Sequence, residues 1–205
     1  ELAASTGKLD LSDCGLSAVP AGVLRLADLE DLSLAGNDLE SLPDELGELP
    51  LVRLQLAGNR LTSLPPSLGR LARLEGLWAH GNLLTSLPPT MSGLTSLRAL
   101  SLAGNRLVAL PASCGALCAL EDASLAGNAL ASLPPDLAGW TSLRKLSLNG
   151  NALASLPEAL GGLPALARLA LQANPCLVNS CNPRTGSSLL RFAVDRADNP
   201  LLLTM

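Results

Sequence analysis

Residues 51–73 read LVRLQLAGNRLTSLPPSLGRLAR, and the landmarks of this stretch return at a fixed period through most of the chain. Counted from Leu51 as position 1, leucine falls at positions 1, 4, 6, 11, 14, 18 and 21, asparagine at position 9 and proline at position 15. Self-similarity at a period of roughly 20 to 50 residues is the signature of a repeat array, whose units bury apolar side chains against their neighbours. The chain is therefore predicted to be a stack of similar coils.

The asparagines at position 9 define the number of coils. They are Asn37, Asn59, Asn82, Asn105, Asn128, Asn151 and Asn174, and their spacing is constant except that the first interval is one residue shorter than the other five. Cys14 precedes the first of them by the same regular interval. Seven prolines keep the same phase at position 15, namely Pro20, Pro43, Pro65, Pro88, Pro111, Pro134 and Pro157. These landmarks predict about eight coils.

Each coil combines a strand pattern with a return path that cannot be a long helix. Leu54 and Leu56 are two residues apart, so their side chains point to one face of a short extended segment. The later leucines are spaced by three and four, and the pair Pro65 and Pro66 lies among them. Because proline interrupts regular helices, we expect turns, polyproline or a single helical turn on the return path.

The repeated asparagine is a polar residue among leucines, and a buried amide without hydrogen bonds is costly. We expect each asparagine to bond free backbone groups of the tight turn after the strand, in its own coil and the next, which makes a polar ladder through the stack. In the recurring sequence Ala-Gly-Asn, the glycine is expected for its backbone freedom.

The pattern LxxLxLxxNxLxxLPxxLxxLxx resembles the leucine-rich repeat family over roughly residues 6–176. Its Leu-Pro pair and 23-residue unit are similar to the intracellular Ras-group type of scribble-like and plant Ras-group proteins. The resemblance implies an α/β fold, a right-handed horseshoe-shaped solenoid with a parallel sheet on its concave side. It also implies an irregular, 3-10 or polyproline convex side, and a protein-binding concave surface.

The two ends depart from the repeat. We expect the array in residues 1–176, with an atypical first coil, and a C-terminal capping segment in 177–205. Within that segment, 187–197 has the pattern of a short amphipathic helix, which would cover the last coil. The five residues before the first coil are too few for a cap, so upstream sequence is expected in the natural protein.

The five cysteines do not suggest a metal or catalytic site. Cys14 and Cys114 stand at core positions and are predicted to be small buried residues, whereas Cys118 is predicted to lie on the surface. Extracellular relatives close the array with disulfides, so a bridge between Cys176 and Cys181 is the alternative to reduced thiols. The multi-cysteine signature and any Asn-x-Ser/Thr sequon are lacking, which favours an intracellular protein, with organelle or secreted locations as alternatives.

Composition excludes several classes of function. The net charge of −4 argues against a nucleic-acid surface, which is usually basic. No apolar run reaches the roughly 18 residues that a membrane span needs. With one histidine and no clustered metal-ligand spacing, neither a metal nor another cofactor is expected. A solenoid also holds residues of distant coils apart, so no enzyme activity is expected.

Function should therefore lie on the open face of the sheet, at positions 3, 5 and 7. Trp78 stands out there, because nothing in the repeat requires an exposed indole and Gly76 leaves room beside it. The candidate partner-binding site is Trp78 and His80, surrounded by Arg53, Gln55, Ser101, Asp122 and Lys145. The alternative is that the indole only lies flat on neighbouring side chains. Trp140, at position 21, is expected in the core.

Charges along the array are expected to pair between coils. Asp31 should lie beside Arg53 on adjacent parallel strands, and Asp44, Glu45 and Glu48 have the same option with Arg70 on the convex side.

The leading functional hypothesis is a non-catalytic intracellular module, a scaffold that binds a protein partner through its concave face. A fixed accessory subunit of a large complex and a secreted recognition domain are the alternatives. The protein is expected to be monomeric alone or a subunit of a hetero-complex.

Overall fold

Eight short parallel strands form one sheet in the computed structural model, which describes residues 7–174 of the 205-residue chain. The strands are β1 Lys8–Asp10, β2 Asp31–Ser33, β3 Arg53–Gln55, β4 Gly76–Trp78, β5 Ala99–Ser101, β6 Asp122–Ser124, β7 Lys145–Ser147 and β8 Arg168–Ala170. They follow one another across the sheet in chain order. Each strand faces the same repeat positions of its neighbours, as where Leu54 lies opposite Leu32 and Leu77. The predicted solenoid and its eight strands are confirmed.

The core is a continuous column of side chains from consecutive coils. Leucines at positions 1, 4, 6, 11 and 18 are almost completely buried from the second coil to the seventh, and other apolar residues stand at the few positions without leucine. Trp140 is 2% exposed, which confirms its predicted place in the core, and its Nε1 donates to the carbonyl oxygen of Cys114 at 2.7 Å. Cys114 is also buried, as predicted, and Cys118 is exposed.

The position-15 prolines explain the return path. Five of them, Pro43, Pro65, Pro88, Pro111 and Pro157, have φ between −71° and −63° and ψ between 143° and 149°, the polyproline II conformation. Short 3-10 helices follow, and the set is η1 Val23–Arg25, η2 Asp44–Glu48, η3 Pro66–Arg70, η4 Pro89–Gly93, η5 Ala112–Ala116 and η6 Glu158–Gly162. In the sixth coil Asp136 accepts a hydrogen bond from the Ala138 N–H at 2.9 Å, and no 3-10 helix forms there.

Glycines near the ends of the 3-10 helices let neighbouring coils approach closely. A Cβ atom on Gly93 would lie 2.0 Å from the carbonyl oxygen of Gly69, and one on Gly69 would lie 2.3 Å from that of Thr90. These contacts are between backbones, so no side-chain rearrangement relieves them. On the convex side, neighbouring coils therefore contact each other through the backbone at glycines, a feature that the leucine pattern did not predict.

The asparagine ladder is confirmed, with one correction to its direction. Asn82 accepts a hydrogen bond from the Leu61 N–H at 3.0 Å, and its Nδ2 donates to Leu56 O at 2.9 Å and Ala79 O at 3.1 Å. Leu56 and Leu61 belong to the preceding coil, not to the next one as expected. The glycine of the recurring Gly-Asn pair has a positive φ, as in Gly81 at 66°, which explains its repetition.

Cys14 is a second correction, because it is exposed rather than buried in the core. Its Sγ donates to Ser12 O at 3.3 Å, and its backbone N–H donates to the Asn37 side chain at 3.0 Å. Among residues 7–174 no earlier coil packs against it, so a thiol at this position has no core to enter. Leucines of the same coil are only partly buried.

Some expectations lie outside the described residues. They are the Cys176 and Cys181 pair, the amphipathic segment 187–197 and the boundary between 1–176 and 177–205. Within residues 7–174, the structure contains no helix both long and apolar enough to cross a membrane.

Candidate functional site

The side chains at positions 3, 5 and 7 form the open face of the sheet. In the fourth coil they are Gly76, Trp78 and His80, and strand pairing places Trp78 between Gln55 and Ser101. The indole is half-buried, and the distal edge of its six-membered ring reaches over Gly76. A Cβ atom on Gly76 would lie 2.2 Å from Trp78 Cη2, so glycine is required for this indole position. The sequence-based expectation that Gly76 makes room is confirmed.

His80 is linked to the next coil. Its Nδ1 lies 3.2 Å from Ser101 Oγ, and the imidazole itself is exposed. Ala79, between Trp78 and His80, is completely buried in the core, which fixes the backbone that carries both side chains. The histidine and the indole are therefore presented from one rigid segment on the same face.

The charged members of the predicted site are already paired within the sheet. Arg53 Nη1 lies 3.2 Å from Asp31 Oδ2, which confirms the expected pair, and Lys8 Nζ lies 3.5 Å from the same oxygen. Lys145 Nζ lies 3.3 Å from Asp122 Oδ2. The partners of Asp31 and both members of the Lys145 pair are at least half exposed to solvent, so these pairs neutralise charge more than they stabilise the fold.

The structure brings together five of the seven predicted residues. Arg53, Gln55, Trp78 and Ser101 occupy three consecutive strands, and His80 lies two residues beyond the end of β4. Asp122 and Lys145 lie two and three strands beyond Trp78, a separation of about 10 to 15 Å at the usual strand spacing. Between Trp78 and Lys145, the open face of the sheet carries small side chains besides Asp122. They are Ala99, Ser101, Ala103, Ser124 and Ala126. The site is thus an indole at the edge of a shallow floor of small side chains.

A rim of charged residues at position 2 was not part of the sequence-based prediction. Glu30 is bonded by Arg73 at 2.9 Å, and Glu121 is bonded by Arg98 at 2.7 Å with Arg144 at 4.0 Å. Glu75, between these two groups, is exposed and makes no ion pair within the described residues. The signal for this rim is present in the sequence, because most residues at position 2 of the repeat are charged.

On the convex side, the expected pairing is found for one acid. Glu48 Oε1 lies 3.9 Å from Arg70 Nη1, while Asp44 instead accepts a hydrogen bond from Ser67 Oγ at 3.2 Å. These groups are far from the indole and do not contribute to the concave site.

Two groups have altered acidity. Hydrogen bonds from Ser12 hold the pKa of Asp10 below its usual value, at the first strand of the sheet. Burial raises the pKa of the Cys114 thiol to about 12. Within residues 7–174, histidine, cysteine and carboxylate side chains form no group of three that could hold a metal ion.

Comparison with known proteins identifies the repeat. The chain matches the family described as "Leucine rich repeat" over residues 50–107 and 119–175, together more than half of its length. None of the curated proteins matches it. Among solved structures, it is similar to the Leptospira interrogans LRR protein LIC12759, with 29% identity and a TM-score of 0.62 over 82% of this chain and 56% of that one.

A second similar structure is the plant peptide hormone receptor RGFR1 in complex with RGF2. It is 30% identical, with a TM-score of 0.67, and the match covers 80% of this chain and 32% of the receptor. This chain therefore spans about half of one of these proteins and a third of the other. Domains of this family generally mediate protein–protein interaction, and their fold is typically non-catalytic. The family match does not distinguish the Ras-group type from others. From its repeat, its sheet and these matches, the chain belongs to the leucine-rich repeat family.

Proposed function

We propose that this protein is a non-catalytic binding module that recognises a protein partner through its concave face, with Trp78 as the anchor. The observation that carries the proposal is the position of Trp78. It is a half-buried indole at the edge of a floor of small residues. Tryptophan is enriched among the side chains that contribute most to interface affinity.

The surrounding charges support this assignment. Arg53 is paired with Asp31, and Lys145 is paired with Asp122. A partner that covers these four side chains therefore buries ion pairs and not isolated charges. The backbone under the site is rigid, because Leu77 and Ala79 on either side of Trp78 are completely buried. A rigid, pre-arranged surface loses less conformational entropy on binding than a mobile one.

The test starts with capture of partners from a native extract of the source cells on immobilised protein, followed by mass spectrometry. Titration calorimetry then compares the wild type with Trp78→Ala for the captured partner. We expect Trp78→Ala to weaken binding by well over tenfold, since truncation of an anchor residue costs about 2 kcal/mol or more. Lys145→Ala, at the polar surround, should weaken it less.

Measuring both proteins at two pH values tests whether His80, next to the indole, affects the interface. Equal affinity of wild type and Trp78→Ala would place the interface on another surface and would favour a fixed accessory subunit. One such surface is the segment from Asp28 to Glu48, which carries eight acidic and no basic residues. A subunit of that kind would be recovered only with its complex.

We further propose an intracellular location. Cys14 and Cys118 are exposed and unpaired, and free surface thiols are typical of reducing compartments. The similarity to a plant peptide hormone receptor favours a second candidate, a secreted recognition domain. Counting free thiols under denaturing conditions separates the two. Five free thiols support the intracellular protein, and a Cys176 to Cys181 bridge supports the secreted one.

A further inference from the structure

The position-2 rim is balanced by pairs of opposite charge, with one exception beside the indole. Along the coils it reads Glu30, Val52, Glu75, Arg98, Glu121 and Arg144. Glu30 and Glu121 are both within 3 Å of an arginine nitrogen, from Arg73 and Arg98. Glu75 has no such partner within the described residues, because Val52 stands where a base would complete the series.

The cations near Glu75 are engaged elsewhere. Arg98, on the adjacent coil, donates to Glu121 at 2.7 Å, and Arg53, whose strand pairs with β4, is bonded to both carboxylate oxygens of Asp31 at 3.2 and 3.3 Å. The carboxylate of Glu75 is thus an exposed negative charge that the described part of the protein does not neutralise.

Glu75 and the distal ring edge of Trp78 lie at the same end of β4. The distal ring edge of Trp78 reaches back over Gly76, and Glu75 is the residue immediately before that glycine. Consecutive Cα atoms are about 3.8 Å apart, and a glutamate side chain is long enough for its carboxylate to approach a ligand group above the ring. A cation within about 6 Å of an aromatic ring is attracted by the ring's negative face. An arginine side chain offers both interactions at once, since its planar guanidinium stacks on rings and bonds carboxylates.

We propose that the indole of Trp78 and the carboxylate of Glu75 together form a binding site for an arginine side chain of the partner protein. The guanidinium lies on the indole and supplies the base that Val52 lacks. This inference rests on the proposed concave interface and specifies its partner as a protein segment with an exposed arginine. A partner presenting only apolar side chains would leave Glu75 unpaired in the interface, which is unfavourable.

The experiment uses two blocked pentapeptides, acetyl-Gly-Gly-Arg-Gly-Gly-amide and the same peptide with citrulline in place of arginine. Citrulline has nearly the same shape as arginine and no charge. Binding is followed by the indole N–H resonance of Trp78 in nitrogen-15 labelled full-length protein, at millimolar peptide concentrations. The resonance of the buried Trp140 serves as an internal control. We expect the arginine peptide to bind about fivefold to tenfold more tightly than the citrulline peptide at low salt.

Two matched variants test the carboxylate. Glu75→Gln should lower the affinity for the arginine peptide most of the way to that for the citrulline peptide, because only the attraction of the cation to the ring then remains. Glu48→Gln makes the same chemical change at an acid of the convex side that lies 3.9 Å from Arg70, far from the indole, and it should leave the affinity for the arginine peptide unchanged.

Equal binding of the two peptides, equal effects of Glu75→Gln and Glu48→Gln, or no shift of Trp78 with the arginine peptide would each overturn the arginine site. A leucine peptide that shifts Trp78 as strongly as the arginine peptide would also overturn it, while leaving Trp78 as an apolar anchor. Failure of the concave interface itself is seen separately, as equal affinity of wild type and Trp78→Ala for the captured protein.

Discussion

A single amide at position 9 connects each coil to the one before it. The Asn128 side chain accepts a hydrogen bond from the Leu107 N–H at 3.0 Å and donates to Leu102 O and Leu125 O, each at 3.0 Å. Several backbone groups around each turn therefore depend on one residue. Its repetition is a requirement of the stack, since backbone groups left unpaired inside a protein cost free energy.

We predict that Asn128→Ala lowers the free energy of unfolding by about 2 to 3 kcal/mol, because it leaves buried donors and acceptors without partners. Asn128→Asp keeps the acceptor and loses the donor, so it should also destabilise. Ser132→Ala, on the surface of the same coil, is the control and should change little. Denaturant titration measures all three, and a loss below about 0.5 kcal/mol for Asn128→Ala would refute the ladder as a source of stability.

The buried thiol of Cys114 should be chemically inert in the folded protein. Its pKa is raised from the usual 9.0 to about 12, which reduces the reactive thiolate about a thousandfold at pH 8. Iodoacetamide should therefore modify Cys118, in the same coil, and spare Cys114 until the chain is unfolded. Peptide mapping by mass spectrometry reads both sites in one sample, and rapid modification of Cys114 in the native state would contradict its burial.

The same shift predicts a pH dependence. The unfolded chain releases the Cys114 proton at a lower pH than the folded chain, so the contribution of this thiol to stability falls as the pH rises from 9.0 towards about 12. Below that window, the thiol is protonated in both states and contributes no pH dependence.

On the convex side, the 3-10 helices η2 to η5 contact one another in chain order, as the strands do on the concave side. Their spacing is set by glycine, as at Gly69 and Gly93, where a backbone carbonyl occupies the place of a side chain. In the sixth coil, Trp140 takes the place of leucine and the return path loses its 3-10 helix. The fold thus accommodates the loss of one 3-10 helix, whereas a side chain at Gly69 or Gly93 would clash with a backbone carbonyl.

Gly93→Ala is predicted to destabilise the protein by about 1 to 3 kcal/mol, because the new methyl group would meet the carbonyl oxygen of Gly69 at 2.0 Å. The matched control is Gly162→Ala in η6, where no atom of residues 7–174 lies within 4 Å of the added methyl. It should be neutral or stabilise by about 0.4 to 1 kcal/mol. Thermal unfolding of both variants checks this, and equal effects would exclude close backbone packing as the cause.

The elements were largely predictable from the sequence, because leucine spacing, asparagine phase and Leu-Pro pairs each encode local geometry. The glycines of the convex side were not, since their role arises from the distance between two coils and not from the pattern within one. For the site, Trp78 was found as an exception to the repeat. Glu75 was missed, because an acidic residue at a rim position becomes informative only when its neighbours are seen to pair with other groups.

For the whole molecule, the solenoid behaves as a one-dimensional structure in which each coil contacts its neighbours. Ion pairs such as Asp38 with Arg60 at 2.8 Å bridge adjacent coils, and these exposed pairs each contribute little to stability. Stability is then close to a sum of local terms, and a weak coil opens without unfolding the rest. The first coil is the weakest of those described. Cys14 replaces the ladder asparagine there, and Leu9 and Leu11 are only partly buried.

Hydrogen exchange should show this difference. The Leu11 N–H donates to Ser33 O at 2.9 Å, and the Ala79 N–H donates to Ser101 O at 2.8 Å, at the same repeat position of the first and fourth coils. We predict that Leu11 exchanges about tenfold or more faster than Ala79, since local opening of the first coil costs less free energy. Exchange measured by NMR or mass spectrometry at neutral pH decides this. Equal rates would indicate that the array opens only as a whole.

The direction of the asparagine contacts has a consequence for how such a chain can lengthen. Every position-9 asparagine from Asn37 to Asn174 bonds the coil before it as well as its own turn, and within residues 7–174 none bonds the coil after it. A duplicated unit of one full period inserted between two coils meets the same donors and acceptors on both sides, so gene duplication can extend the protein without new compensating substitutions. Among residues 7–174 the first coil has no preceding coil that such an amide could bond, and Cys14, which requires no such partner, stands at its position 9.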